Sequence, residues 1–466
     1  MKFTARILLL LLVCFIAAGA PVSGATFTVS NTADSGLGTL RQAVLDANAA
    51  ASNDSIIFDS GIFNITVASP ITIANNGTLD INGPGANVLT LTGTGATIFL
   101  SSAATFTLRG VSLTGGSGGD AAVHATGGTT VLEEIVVQNY NSGAGITGAV
   151  YFGGGANHRI GYSTFSANTA TSECGAIRND SDLTIVNTTI TGNTTIGGGG
   201  TGAVCAIGGT TTIRNSTIAN NSSTGSGVYG GGGVFVFLNA TANLGNTIVA
   251  GNTTNGFGPD IARFNSSATL TTAGGNFIGT NDGNPAAPNT TAFPTGNPNG
   301  NADKVGTGAT PIDPMLGPLM NNGGTTPTRA LIFGSPAIDA GINANAAGLA
   351  YDQRVGFVRI QDGNGDMIAN VDIGAFEFGF SPTAAPVSLS GRVMSGSGGI
   401  SMAVVSVTGA DGIVRTAITN SFGYYRVEGL EAGTTYIVDT TSKRYTFASQ
   451  VVSLGDDLGE FNIHAL

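Results

Sequence analysis

From about Phe106 to Asn252 the apolar residues recur in a pattern that no helix can carry. Five segments align: DAAVHATGG (120–128), TGAVYFGGG (147–155), CGAIRNDSD (174–182), TGAVCAIGG (201–209) and GGGVFVFLN (231–239). Val123, Val150, Ile177, Val204 and Val234 fall in one column, at spacings of 27, 27, 27 and 30 residues. The column before it is small throughout: Ala122, Ala149, Ala176, Ala203 and Gly233. Between these segments lies a second block, LTIVNTTITGN (183–193), matched by TTIRNSTIANN (211–221) and ANLGNTIVAGN (242–252). It supplies two further apolar columns, Val131, Ile160, Ile185, Ile213, Leu244 and Val136, Phe165, Ile190, Ile218, Val249. Three residues past the second, Asn139, Asn168, Asn193, Asn221 and Asn252 make a column of their own.

Self-similarity at such a period means stacked supersecondary units. The apolar residues are β-branched and the spacers are Gly, Thr, Asn and Ser, so each unit predicts short strands separated by turns. One coil of a parallel β-helix fits, with each column residue about 4.8 Å above its counterpart in the coil below. The apolar columns then stack inward. The asparagines stack at a turn, where Asn tolerates left-handed backbone and its amide can bond the next amide.

The flanks of the repeat read differently. Residues 26–60 carry one helical segment, Thr39 to about Asn48, with Thr39 and Gln42 spaced as a capping box and Leu40, Ala43, Val44 and Ala47 on one face. An open first coil exposes strand edges and core, and an amphipathic helix is the expected cover. Residues 63–105 add irregular early coils. The stretch 279–304 is rich in Asn, Pro and Gly and reads as a surface excursion too polar to bury anything. Segments of 311–378 close the first domain, residues 381–386 form a linker, and strands at intervals of about 8–12 residues fill 387–466, with Asp411-Gly412 as a hairpin turn. The fold predicted is all-β: a right-handed parallel β-helix over 61–380 with a short N-terminal capping helix, followed by a small antiparallel β-sandwich.

Lys2 and Arg6, the apolar run Ile7–Ala18 and Ser23-Gly24-Ala25 read as a secretory signal peptide cut after Ala25. No other apolar run has the length to span a bilayer. Removing residues 1–25 takes away two of the 17 basic residues and none of the 28 acidic ones, so the net charge becomes 15 − 28 = −13. An acidic chain without a basic cluster is a poor nucleic-acid binder and would be repelled by anionic polysaccharide. Of the cysteines, Cys174 and Cys205 remain after processing. Their columns are four residues out of register, roughly 13 Å along an extended strand, which predicts two unlinked small residues, buried or half-buried.

Residues 26–60, with GTLRQAVLDAN and DSIIF, resemble the N-terminal cap of bacterial secreted β-helix proteins of the CSLREA/polymorphic-outer-membrane-protein-like kind, and the coils resemble their repeats. DPMLGPLMNNGGTTPTRAL, GSPAIDAG, DQR and DIGAFE resemble the choice-of-anchor closing segment of those proteins. Residues 387–466, with SGRV, TNSFGYYRVEGL and GTTYIV, resemble a carboxypeptidase-regulatory-like (transthyretin-like) domain. The resemblance implies placement at the cell surface or outside the cell, with adhesion or glycan contact, and transfers no catalytic residue. Val355 departs from it: the family has Gly after DQR, which bears on the local turn.

Two groups of residues carry candidate chemistry. In the column after the inward Val/Ile, His124, Tyr151 and Arg178 point outward by alternation, and Asp180 joins them two residues on. A patch of this kind across three coils can grip a sugar chain; the plainer reading is unrelated surface side chains. A carbohydrate-active enzyme on this face, a lyase or hydrolase, is the alternative function, and it needs converging carboxylates. Asp362, Asn364 and Asp366 have the one-three-five alternation of a calcium loop, although Met367 and Ile373 stand where its Gly and Glu belong. A Gly-rich turn is the other reading of that loop. His464, alone in its domain, offers no zinc pair. The function predicted is that of a secreted or cell-surface structural, adhesive protein contacting a glycan or another surface component, with no catalytic constellation assigned.

Overall fold

The computed structural model describes residues 24–466 except 51, 75–76, 96, 117, 119, 144–147, 226–229, 380–386, 397, 410–412 and 455–456. Most of the expected signal peptide, the linker 381–386 and the Asp411-Gly412 turn lie outside these residues. The chain divides into two compact units between residues 379 and 380.

The first unit is a parallel β-solenoid. Most coils add one strand to each of three long sheets, which among the described residues have ten, ten and eight strands. In the coil at 183–206 these are Leu183–Val186 in sheet one, Thr189–Thr191 in sheet two and Val204–Ala206 in sheet three. Val123 pairs with Val150, Val150 with Ile177, Ile177 with Val204 and Val204 with Val234, all fully buried. β-Branched side chains stacked in register fill the interior with few rotamers to lose, which is why this column sets the repeat.

One coil departs from the alignment. Leu132, not Val131, pairs with Ile160, and Val137, not Val136, pairs with Phe165. Each position there is one of two adjacent apolar residues, so polarity alone leaves the register open. Tyr140 rather than Asn139 therefore takes the ladder position, its N–H donating to Asn168 Oδ1 (3.0 Å). From Asn168 onward the amides form a buried ladder. Nδ2 donates to the next Oδ1 from Asn168 to Asn193 (2.8 Å), Asn193 to Asn221 (2.9 Å) and Asn221 to Asn252 (2.9 Å). The left-handed residue is the one before each ladder asparagine: Ala167, Gly192, Asn220 and Gly251. At the ladder's end Asn252 donates to Asp260 Oδ1 (2.9 Å), a carboxylate replacing the next amide.

Both ends of the stack are covered. The helix Leu40–Ala49 buries Leu40, Ala43, Val44 and Ala47. Thr39 Oγ1 accepts from Gln42 N–H (3.2 Å), but Gln42 Nε2 reaches Asp46 instead of closing the box. Asn48 bonds the edge strand Ile71–Ile73 on both sides, donating to Thr72 O (2.8 Å) and accepting from Ala74 N–H (2.9 Å). Side-chain amides thus occupy backbone groups that would otherwise template another strand.

At the far end the Asn-Pro-Gly stretch does bury residues, contrary to its polar composition. Phe293 and Asn289 are fully buried, Phe293 within the solenoid core. Asn289 Nδ2 donates to Ile261 O (2.9 Å), on the last strand of sheet three. A stretch of this polarity can cap because the coil end presents open carbonyls as well as apolar core.

Residues 311–378 run back along the outer flank of sheet two instead of sitting at the end. Gln353 binds Thr164 and Thr189, Asn187 Nδ2 donates to Tyr351 O (2.8 Å), and Thr325 Oγ1 reaches Glu134. This strap explains why strands Thr164–Ser166, Thr189–Thr191 and Thr217–Ala219 are buried on both faces. Within it Arg354 pairs with Asp352 (2.6 Å) between the rings of Phe357 and Phe376, and Arg359 is fully buried beside Glu377.

The second unit has its own core, including Leu389, Val405, Val407, Tyr436 and Val438. Val387–Ser395 and Tyr424–Leu430 form one antiparallel layer; Val404–Thr408, Val414–Ile418, Thr434–Thr441 and Gln450–Leu454 form the other. Residues 442–449 are irregular, and the strand Gln450–Leu454 follows them in the sheet.

Candidate functional site

Sheet three brings the four predicted contact residues together. His124 pairs with Tyr151 and Tyr151 with Arg178 in register across strands Val123–Ala125, Val150–Phe152 and Ile177–Asn179. The inward Val/Ile neighbours force these side chains outward. The rings of His124 and Tyr151 lie 4.6 Å apart, and the Arg178 guanidinium lies 5.0 Å from the Tyr151 ring centre. Arg178 grips Asp180 with two bonds, Nε to Oδ1 (2.8 Å) and Nη2 to Oδ2 (2.9 Å). Tyr151 Oη donates to Asp180 Oδ2 (3.0 Å).

Two acids complete the network that the column pattern did not single out. Asp120 pairs with His124, four residues on, and Glu173 pairs with Arg178. The signal for the first was its spacing within the same segment; Glu173 adjoins a cysteine whose role was misread. Burial alone would raise the Asp120 carboxyl, but the His124 hydrogen bond and the Ala121 N–H outweigh it and hold it below its ordinary value. Burial and then the Asp180 charge push the Tyr151 hydroxyl up, so it stays a donor. Burial works against the Arg178 charge, and the Asp180 bond and charge more than restore it. Each acid is thus engaged by His124, by Arg178 or by the Tyr151 hydroxyl.

The unlinked-cysteine expectation is overturned. Cys174 and Cys205 form a disulfide, with Cα atoms 6.0 Å apart. The 13 Å estimate assumed a straight strand, whereas Cys174 precedes a bend through Gly175 and Ala176 that folds it onto the next coil. A Cβ on Gly175 would stand 2.2 Å from Gly202 O, so only glycine allows that bend. The bridge ties the segment carrying Glu173 to the outward column of sheet three.

Beyond the bridge the face turns apolar. Arg178, Glu173 and Cys205 border an open groove of about 460 Å³ whose other wall holds Phe235, Phe237 and Phe264. Phe237 and Phe264 have ring centres 4.7 Å apart. Phe235 continues the outward column of Tyr151, and Phe237 and Phe264 continue that of Asp180, so the same alignment, carried two and three coils further, points to them. Cys205 and Phe235 are buried although their column faces outward.

The Asp362 loop turns its oxygens onto its own backbone. Asp362 accepts from the N–H groups of Gly365 (2.6 Å) and Met367 (2.8 Å), Asn364 from Asp366 (2.9 Å), and Asp366 from Ile368 (2.8 Å). This is the Gly-rich turn with side-chain caps. Met367, at the position of the missing glycine, takes φ +69°. Among the described residues no cluster of three His, Cys, Asp or Glu is arranged to hold a metal ion. Likewise no described helix is long and apolar enough to cross a membrane.

Comparison with protein-family models, with curated proteins and with solved structures gives no match.

Proposed function

We propose that the protein is a secreted or cell-surface structural and adhesive β-helix that contacts glycan chains along the outward face of sheet three, without cutting them. The observation that carries this reading is the outward face that runs from His124 and Tyr151 to Arg178 and Asp180 and on to the groove lined by Phe237 and Phe264. Polar groups held rigidly beside aromatic faces suit hydroxyls and the apolar faces of sugar rings. The acids bonded here are committed to Arg178, His124 and Tyr151, an arrangement for static recognition. Glycosidic cleavage calls for a carboxyl held protonated by its surroundings. The carboxyls pushed upward by burial, such as Asp260, Asp372 and Glu377, lie in the amide ladder and the strap.

The sequence likeness to CSLREA/polymorphic-outer-membrane-protein-like chains with a choice-of-anchor closing segment and a carboxypeptidase-regulatory-like domain supports the same placement, as do the leader-like residues 1–25. A glycan array probed with chain 26–466 and with its Tyr151→Ala variant tests the proposal. Neutral glycans should be retained by the parent chain and lost by the variant. Shortened glycan products after incubation would favour the enzyme; binding that ignores Tyr151 would move the site elsewhere.

A further inference from the structure

The second unit carries a concavity that the solenoid face does not account for. It measures about 560 Å³ and lies between the hairpin that follows Val387–Ser395 and the irregular stretch after Thr434–Thr441. Lys443, Arg444 and Tyr445 line it together with the hydroxyl-bearing Ser395, Ser401 and Ser442 and with glycine and apolar residues of the hairpin such as Ile400. No aspartate or glutamate is among its described lining residues. A third cation stands behind the wall. Arg392 donates from Nε to Phe422 O (2.7 Å), stacks 5.2 Å from the Tyr424 ring centre, and its Nη2 lies 3.0 Å from where a Cβ on Gly399 would stand.

Lys443 and Arg444 are the sole adjacent pair of basic residues in the sequence, and both are exposed. Neither has an ion-pair partner among the described residues, while Arg41, Arg109, Arg159, Arg178, Arg354 and Arg359 of the solenoid all face carboxylates. Two unpaired cations converging with hydroxyl donors on an open hollow are the elements of an oxyanion-ester site. Charges more than about 10 Å away are largely screened at 0.1 M salt, so the net charge of a chain does not by itself set the field at one site.

We propose that this hollow binds the sulfate or phosphate esters of an anionic polysaccharide, giving the protein a second glycan contact of opposite charge preference to the solenoid face. Lys443 and Arg444 supply the charge, and Ser442 and Ser401 the neutral donors. The proposal does not depend on the sheet-three reading.

The test is binding of chain 26–466 to dextran sulfate and to unmodified dextran over a range of salt concentration. The parent chain should bind dextran sulfate more tightly than dextran, and any dextran retained through the solenoid face should not respond to substitution of Lys443 and Arg444. Lys443→Gln with Arg444→Gln should weaken binding roughly tenfold or more and lower the salt slope by about two. Both side chains are exposed, so the double variant should melt like the parent, and the charge-conserving pair Lys443→Arg with Arg444→Lys should keep most of the affinity. Tyr151→Ala should leave this binding unchanged, which separates it from the solenoid site. Equal binding by the double glutamine variant, equal retention of dextran, or no binding to dextran sulfate at low salt would each overturn the proposal. Competition by inorganic sulfate at equal group concentration, with no preference for the polymer, would also overturn it by reducing the hollow to a simple ion site.

Discussion

Val355 sits at φ +40°, in the left-handed region where a β-branched side chain is strained by roughly 1–2 kcal/mol. The turn after Asp352-Gln353-Arg354 is fixed from both sides, by the Arg354–Asp352 pair and by Gln353 on the solenoid flank, so the backbone keeps its course and the valine bears the strain. Val355→Gly should therefore raise stability by about 1 kcal/mol, the relief being partly offset by the greater freedom of glycine in the unfolded chain. A chemical denaturation midpoint that stays put or falls in that variant would show that the turn accommodates valine without strain. The sequence carried this information, since valine stood where the resemblance has glycine. It did not say whether the turn or the residue would give way, because that depends on contacts made almost 200 residues upstream.

Among the elements, the amide ladder and the disulfide both tie coil to coil. Asn193 accepts from Asn168 and donates to Asn221 and to Phe165 O (3.0 Å), all within a dry interior. Asn193→Ala orphans several buried groups at once and should destabilise the solenoid by roughly 2–5 kcal/mol, well beyond a surface substitution. A denaturation curve within about 0.5 kcal/mol of the parent would mean that water replaces the amide. Reduction of the Cys174–Cys205 bridge, which spans a sequence separation of 31, should lower stability by about 3–4 kcal/mol in the chain-entropy description. Melting with and without reductant measures it, and a serine variant at both positions should match the reduced form. The inward columns were legible because period and branching agree at every coil but the one at Thr129–Tyr140, where adjacent apolar residues left the register open, and the helical cap was legible too. The bridge was not, because counting residues along a column assumes extended chain, and one bend at Gly175 voids that assumption. Nor was the strap: its Asp352, Gln353 and Arg359 look like surface residues until the polar flank of sheet two is known to need partners. Of the candidate site, alternation placed His124, Tyr151, Arg178 and Asp180 on one face, and the same column runs on to Cys205 and Phe235; Glu173 lies off that column, and column membership alone does not show which side chains meet in a groove.

At the scale of the whole molecule, the two compact units have separate cores, one built on stacked parallel strands and one on about 80 residues of antiparallel layers. They should unfold in two thermal transitions, and residues 385–466 alone should fold. The units also differ in how protons bear on them. The solenoid unit contains Asp260, pushed by burial to about 6 against the bonds from Asn252 and Thr280. Burial likewise raises Asp372 and Glu377, with Arg359 pulling both back. A carboxyl whose folded value lies above its unfolded one contributes stability that is complete below the unfolded value and is lost as pH rises through the folded one. Acidification from about pH 8 toward 6 should therefore raise the solenoid transition. His158 works the other way. Its Nδ1 accepts from Thr130 N–H (3.0 Å) and its Nε2 faces Gly154 O (2.8 Å), and burial lowers its affinity for a proton. The stability it contributes is present above its ordinary 6.5 and declines as pH falls below that. The solenoid should thus be most stable in mildly acidic buffer. Calorimetry across this range checks both claims together. A single cooperative transition would show that the units unfold as one, and a solenoid midpoint that climbs steadily toward alkaline pH would mean that the buried carboxyls are ionised and paired in the native state.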